Sequence, residues 1–153
     1  MIMILNDVLT KQNVITKLLL KDGDKELSKA LKVKIMRIRV SYNKIKRQFD
    51  SDTQEFTKEL VPVELQELAN KTERTEVEEA RFVELNNKVN SEYQEFLVQK
   101  GFEEITESLD DVFNFDEYSE IVDVNSGNDV EINGKTIKAP DFLEVVMDLF
   151  VRE

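Results

Sequence analysis

Apolar residues along most of this chain recur at spacings of three and four, and only near the end does a short run alternate instead. Val8, Val14, Ile15, Leu18 and Leu19 lie on or near one face of a helix expected over residues 7–20, which the polar Lys21-Asp22-Gly23-Asp24 ends. From Lys25 to about Leu60 there is neither Gly nor Pro. Over that stretch Ile35, Ile38, Tyr42, Ile45, Phe49 and Phe56 take alternating a and d positions of a seven-residue repeat, with Asp52 the one interruption. The pattern predicts an unbroken helix over residues 25–60, about 50 Å long at the usual rise per residue. A strand is the competing reading for residues 33–40, which are rich in β-branched side chains and alternate apolar with basic until the phase slips at Ile35-Met36.

Val61-Pro62 interrupts the repeat, and the short helical stretch Val63 to Lys71 leads into a loop at residues 72–75. Thr75-Glu76-Val77-Glu78 fits a capping box, so a new helix is expected over residues 76–100. Phe82, Leu85, Val89 and Phe96 continue the seven-residue spacing, Lys100 gives a basic last turn, and Gly101 suits a left-handed cap. Two long helices with matching stripes and a short connection predict an antiparallel helical hairpin.

Beyond Gly101 the pattern changes. A short helix is expected over residues 116–123, and Ser126 to Asp129 reads as a loop. Asn133-Gly134 then supplies the two positive-φ positions of a type I′ turn, predicting a β-hairpin over residues 130–138. Pro140 opens a terminal helix over residues 140–152, whose Phe142, Leu143, Val146, Met147, Leu149 and Phe150 are apolar over so much of the surface that they must be covered. A two-stranded hairpin is marginal alone, so this one packs on the terminal helix, borrows a strand such as Met1 to Leu5, or adds one from a partner.

The expected fold is therefore mainly α: a helical body over residues 1–100 built on the long-helix hairpin, and an α+β cap over residues 101–153, forming one cooperative unit. Composition agrees, since 153 residues suffice for one domain with a real core, and only 4 Gly and 2 Pro favour long helices over a turn-rich β fold. With no Cys and no His, a disulfide framework, a thiolate metal site and the commonest proton shuttle are excluded. Met1 to Leu5 lacks the length and basic flank of a signal peptide, and no apolar run approaches a membrane span, so a soluble, intracellular protein, neither secreted nor membrane-bound, is expected.

Charge adds the main functional pointer. Residues 25–47 hold nine basic side chains (Lys25, Lys29, Lys32, Lys34, Arg37, Arg39, Lys44, Lys46, Arg47) against one acid, Glu26, in a chain of net charge -11. Residues 101–134 hold eleven acids and no base, interleaved with apolar side chains that pack while the carboxylates stay in water. Lys25, Lys32, Arg39 and Lys46 recur every seven residues beside the apolar seam, where charges select a coiled-coil partner. Three readings of the basic stripe are open: intramolecular pairing with the acidic region or solvation, an acidic protein partner, or nucleic acid. The partner reading rests on Lys25, Lys32, Arg37, Arg39, Lys46 and Arg47; a small nucleic-acid-binding regulator would use Lys32, Arg37, Arg39, Lys44 and Arg47 of the basic helix over residues 25–47.

Catalytic equipment is sparse: there is no glycine-rich phosphate loop, no G-x-S-x-G elbow and no H-E-x-x-H. Asp22, Asp24 and Glu26, or Asp50 and Asp52, resemble fragments of calcium loops without the sixth-position glycine or twelfth-position Glu, and read as helix-end and loop chemistry. No catalytic, metal or cofactor site is expected. The short first helix, the long helix carrying KALKVKIMRIRVSYNKI, the returning helix and the closing VEINGKTIKAPDFLEVVMDLFVRE resemble the layout of small proteins in the structural gene clusters of tailed bacteriophages. Those pair an N-terminal helical hairpin with a small, acidic, β-containing end. The resemblance implies a virion component or assembly factor, present in the virion or the bacterial host cytoplasm, that binds other phage structural subunits as a homo- or hetero-oligomer. It carries over no functional residue.

Overall fold

The computed structural model describes residues 3–107 and 109–152 and is mainly helical, with small antiparallel sheets. In chain order the elements are β1 (Met3–Ile4), α1 (Leu5–Ile15), β2 (Lys21–Asp22), β3 (Lys25–Glu26), α2 (Lys29–Leu60), α3 (Val63–Asn70), α4 (Glu76–Gly101), β4 (Glu104–Ile105), α5 (Phe115–Asn125), β5 (Val130–Ile132), β6 (Lys135–Ile137) and α6 (Ala139–Phe150).

Several helix boundaries differ from the sequence pattern, the first two for identifiable reasons. The first helix stops at Ile15 and does not run through residues 16–20. There the backbone of Leu19 leaves the helical ladder and pairs with the buried Asn125 side chain: Leu19 N–H donates to Asn125 Oδ1 at 2.8 Å and Asn125 Nδ2 donates to the Leu19 carbonyl at 3.1 Å. The long helix starts at Lys29 and not at Lys25, because Ser28 caps it by accepting the Leu31 N–H, while Lys25–Glu26 folds back on Lys21–Asp22. Gly23, at φ +61°, makes that two-residue turn. Residues 33–40, where a strand competed, lie wholly inside α2.

Gly101 does not adopt a left-handed cap; it ends α4 buried against Asn6, whose amide lies where a Cβ would sit. The fifth helix is longer than residues 116–123, running Phe115–Asn125 from an Asn114 cap with Glu117 completing the box. The expected β-hairpin is present as β5 and β6, with Asn133 at φ 53° and Gly134 at φ 77°, as a type I′ turn requires. It borrows no strand from the N-terminus: Met3–Ile4 pairs instead with Glu104–Ile105, and Met1 and Ile2 lie outside the described residues. The terminal helix spans Ala139–Phe150, short of residue 152, because Val151 bridges to Phe113 and the Arg152 N–H donates to the Phe113 carbonyl at 2.9 Å.

The main core takes side chains from both ends of the chain, among them Val8, Ile35, Tyr42, Phe113, Ile121 and Phe142. Burial of such groups stabilises by roughly 1.5 to 3 kcal/mol each before entropy is counted. Around this core the order strand or edge, helix, hairpin, helix occurs twice. α5 starts at Phe115 against α1 at Leu5, β6 at Lys135 against β3 at Lys25, and α6 at Ala139 against α2 at Lys29, a constant offset of 110 residues. No residue of α2 beyond Ile45 is buried, and along α4 only Leu85 and Gly101 are. A second small cluster, Leu65, Leu68 and Leu85 with Val61, Phe82 and Val89, joins α3 to α4. Between the clusters the rings of Phe56 and Phe96 stack at 4.1 Å, and Lys100 pairs with Asp52 at 2.9 Å.

Candidate functional site

The buried seam of α2 is Leu31, Ile35, Ile38, Tyr42 and Ile45. At 3.6 residues per turn the opposite side of the cylinder carries Lys29, Val33, Met36, Val40, Lys44 and Arg47, spaced four, three, four, four and three apart, with Arg37 beside them. Three of these are large apolar side chains held in water: Val33 is 38% exposed, Met36 54% and Val40 69%. A helix with one apolar face needs one covering surface; α2 has two such faces and the fold covers one.

The basic residues divide by the same geometry. Lys25 lies in β3, 3.9 Å from Asp123 of α5; Lys32 pairs with Glu26; Lys46 pairs with Asp50 one turn on at 2.9 Å. Arg39 donates from Nε to the Ile15 carbonyl at 3.1 Å and from its NH2 nitrogen to the Leu18 carbonyl, satisfying the loose end of α1. Its burial lowers the guanidinium pKa from the usual range. Lys34 bridges to Glu117 at 3.0 Å and lies over the Phe113 ring. Lys25 and Lys34 thus meet α5 of the acidic second half, Arg39 closes the end of α1, and the Lys32 and Lys46 pairs are local. Arg37 and Arg47, with Lys29 and Lys44, are exposed and make no ion pair or hydrogen bond among the described residues. So the structure separates the six expected partner-binding residues: Arg37 and Arg47 stay on the open face, while Lys25, Lys32, Arg39 and Lys46 face partners in their own chain. Val33, Met36 and Val40 were not singled out by the sequence, and Lys29 only as one of the nine basic side chains, although a second search for three-and-four spacing, offset from the buried seam, would have found them.

A cleft of 390 Å³ borders this face, lined by Val33, Arg37, Ser41, Tyr42, Leu109 and Asp111 among others. Two of its lining residues, Tyr42 and Asp111, belong to a polar triad completed by Lys11. Asp111, 5% exposed, accepts from Lys11 Nζ at 2.9 Å and from the Tyr42 hydroxyl. Burial first, and then the Asp111 hydrogen bond and charge, push the Tyr42 hydroxyl pKa far above its ordinary value. Tyr42 therefore stays protonated and acts as a donor; it is no base or nucleophile near neutral pH. The triad ties α1, α2 and the 109–111 loop together. Among the described residues no three carboxylates converge as a bound metal would need. No protein-family model, curated protein or solved structure matches the chain. Among the described residues no helix is long and apolar enough to cross a membrane.

Proposed function

We propose that this is a non-enzymatic protein-docking subunit whose working surface is the outward face of α2. The observation that carries the reading is the coincidence on one face of three exposed apolar side chains, Val33, Met36 and Val40, with four unpaired cations, Lys29, Arg37, Lys44 and Arg47. A face of that kind is complementary to an acidic amphipathic helix: the apolar row supplies contact area and the cations set partner and register. The stripe extends about 27 Å from Lys29 to Arg47, enough for a partner helix of about five turns. The stacked Phe56 and Phe96 and the Asp52–Lys100 pair support an antiparallel hairpin of the two long helices, holding α3 away from the main core as a second contact arm. The layout resemblance to small tailed-phage proteins supplies the setting, a virion structural or assembly component binding other structural subunits in the virion or the host cytoplasm.

Fluorescence anisotropy with a labelled acidic amphipathic helical peptide, and with DNA and RNA oligonucleotides, tests the reading. The wild type binds the peptide, and Val40→Glu weakens binding at least about tenfold, because it sets a carboxylate in the apolar row at little cost to the fold. Tight, steeply salt-dependent oligonucleotide binding that ignores Val40→Glu would instead establish the four cations as a phosphate track and the chain as a nucleic-acid regulator. Absence of binding to all probes removes the α2 face as a docking site.

A further inference from the structure

The partner face that α2 requires is present on this same chain, and we infer that the occupant is α6 of a second copy. This inference rests on the docking reading above and adds the identity of the partner. α6 turns Phe142, Val146 and Phe150 into the core and leaves Asp141, Glu144, Met147 and Asp148 outward, with Met147 42% exposed. None of the three carboxylates enters an ion pair among the described residues. Their field is felt locally: after burial, the charges of Asp148 and then Glu144 are what raise the Tyr118 hydroxyl pKa. α6 holds the place in the second unit that α2 holds in the first, so the molecule displays two equivalent helices whose outward faces are opposite in charge, each with an exposed methionine, Met36 and Met147.

The charge registers match as well. Arg37 and Lys44 are seven residues apart, and so are Asp141 and Asp148. An antiparallel alignment of α6 along α2 sets Asp148 at Arg37 and Asp141 at Lys44 together, with Met147 level with the apolar row between Met36 and Val40. Within one copy each face points away from the common core, so the pairing is intermolecular. Because the two faces differ, the contact is head-to-tail. Every added copy presents a fresh face at each end, and assembly continues until a ring closes or a filament forms. The net charge of -11 repels copies at long range. At about 0.1 M salt the screening length of about 10 Å removes most of that repulsion and leaves contact pairs in place.

Light scattering and sedimentation on the full chain test the inference, with circular dichroism verifying the fold of each variant. The wild type should form concentration-dependent species larger than a dimer at moderate salt. Arg37→Glu/Lys44→Glu and Asp141→Lys/Asp148→Lys should each reduce association at least about a hundredfold, since each reverses two pairs. The chain carrying all four reversals should assemble again, which general damage to the protein would not produce. A wild type that stays monomeric, a dimer that grows no further, or a fourfold variant that does not recover overturns the second-copy inference. If the wild type stays monomeric and Arg37→Glu/Lys44→Glu still abolishes capture of the acidic peptide, the docking face stands and only its occupant changes. If neither copy nor peptide binds, both readings fall.

Discussion

Asp111→Asn isolates the one charged group that is buried among the described residues, at the cleft beside α2. The carboxylate is 5% exposed, and its Oδ2 takes the Lys11 ammonium at 2.9 Å together with the Tyr42 hydroxyl. Asparagine keeps the volume and a carbonyl acceptor for Tyr42, so that hydrogen bond survives in neutral form. What is lost is the counter-ion of Lys11, whose side chain is only 16% exposed. Removing one partner of a buried pair costs about 3 to 5 kcal/mol. Lys11 also lies 5.6 Å from the centre of the Phe150 ring, and its long stem lets the ammonium move toward water, so the expected loss is about 2 to 3 kcal/mol. For a chain of this length that lowers the melting temperature by about 5 to 10 °C. Urea unfolding followed by far-UV dichroism measures it, with the m-value unchanged. The charge argument also demands that Lys11→Met/Asp111→Asn recover most of the loss, since no uncompensated ion remains. A loss below about 0.5 kcal/mol, or a double variant no better than the single one, would refute the reasoning.

At the type I′ turn, Gly134→Val should cost about 1 to 3 kcal/mol because a β-branched residue is strained at φ 77°, while Asn133→Gly stays nearly neutral; equal thermal melts for the two would remove the turn assignment. Gly101→Ala places a Cβ 2.4 Å from Asn6 Oδ1 and 2.7 Å from its Cγ, so a loss of about 1 to 2 kcal/mol is expected, and Asn6→Ala in the same chain should restore it. Asp52, Glu64 and Glu78, hydrogen-bonded first to Lys100, Arg81 and Lys71 respectively, have pKa values below their ordinary 3.8 and 4.5. Their contribution is present above those values and is lost as pH falls through the lower folded ones. Pepsin near pH 3 should therefore cut first in α3 and α4, and initial cleavage within α5 or α6 would contradict this.

Helix periodicity was readable where one face met the core over several turns, as in α2 from Leu31 to Ile45, and the Asn133-Gly134 hairpin was readable from its turn chemistry. The opposite holds for the first hairpin. Lys21, Asp22, Lys25 and Glu26 are all exposed and polar, so no alternation marks them, and only Gly23 betrays the turn. The repeat of the two units was hidden for a related reason. At the 110-residue offset, Val14 falls on Val124 and Lys25 on Lys135, but Ile15 falls on Asn125 and Lys11 on Ile121, so buried positions are filled by unlike chemistry. Helix ends were misjudged at Ile15 because the group that ends α1 is Asn125, far away in sequence. Charge counting located a basic stripe that lies along α2 apart from Lys25 in β3, but it could not sort its members, since that depends on which acids the fold brings alongside.

That sorting gives the molecule a division of labour. Lys25 and Lys34 meet Asp123 and Glu117 of α5 and tie the second half of the chain to the first, while Arg39 holds the end of α1. Arg37, Lys44 and Arg47 point away from Lys34 and Arg39 by about a sixth of a turn or more around α2 and form no ion pair among the described residues. Intramolecular pairing and availability to a partner are thus alternatives for each residue but not for the stripe as a whole. The same separation predicts the behaviour of charge reversals. Lys34→Glu faces Glu117 across 3.0 Å and should lower stability and, through it, every downstream property. Arg37 forms no ion pair among the described residues, so Arg37→Glu should leave the melting temperature within about 2 °C of wild type and act on association. If Arg37→Glu melts as low as Lys34→Glu, Arg37 has a partner inside the fold and the outward face of α2 is not the docking surface.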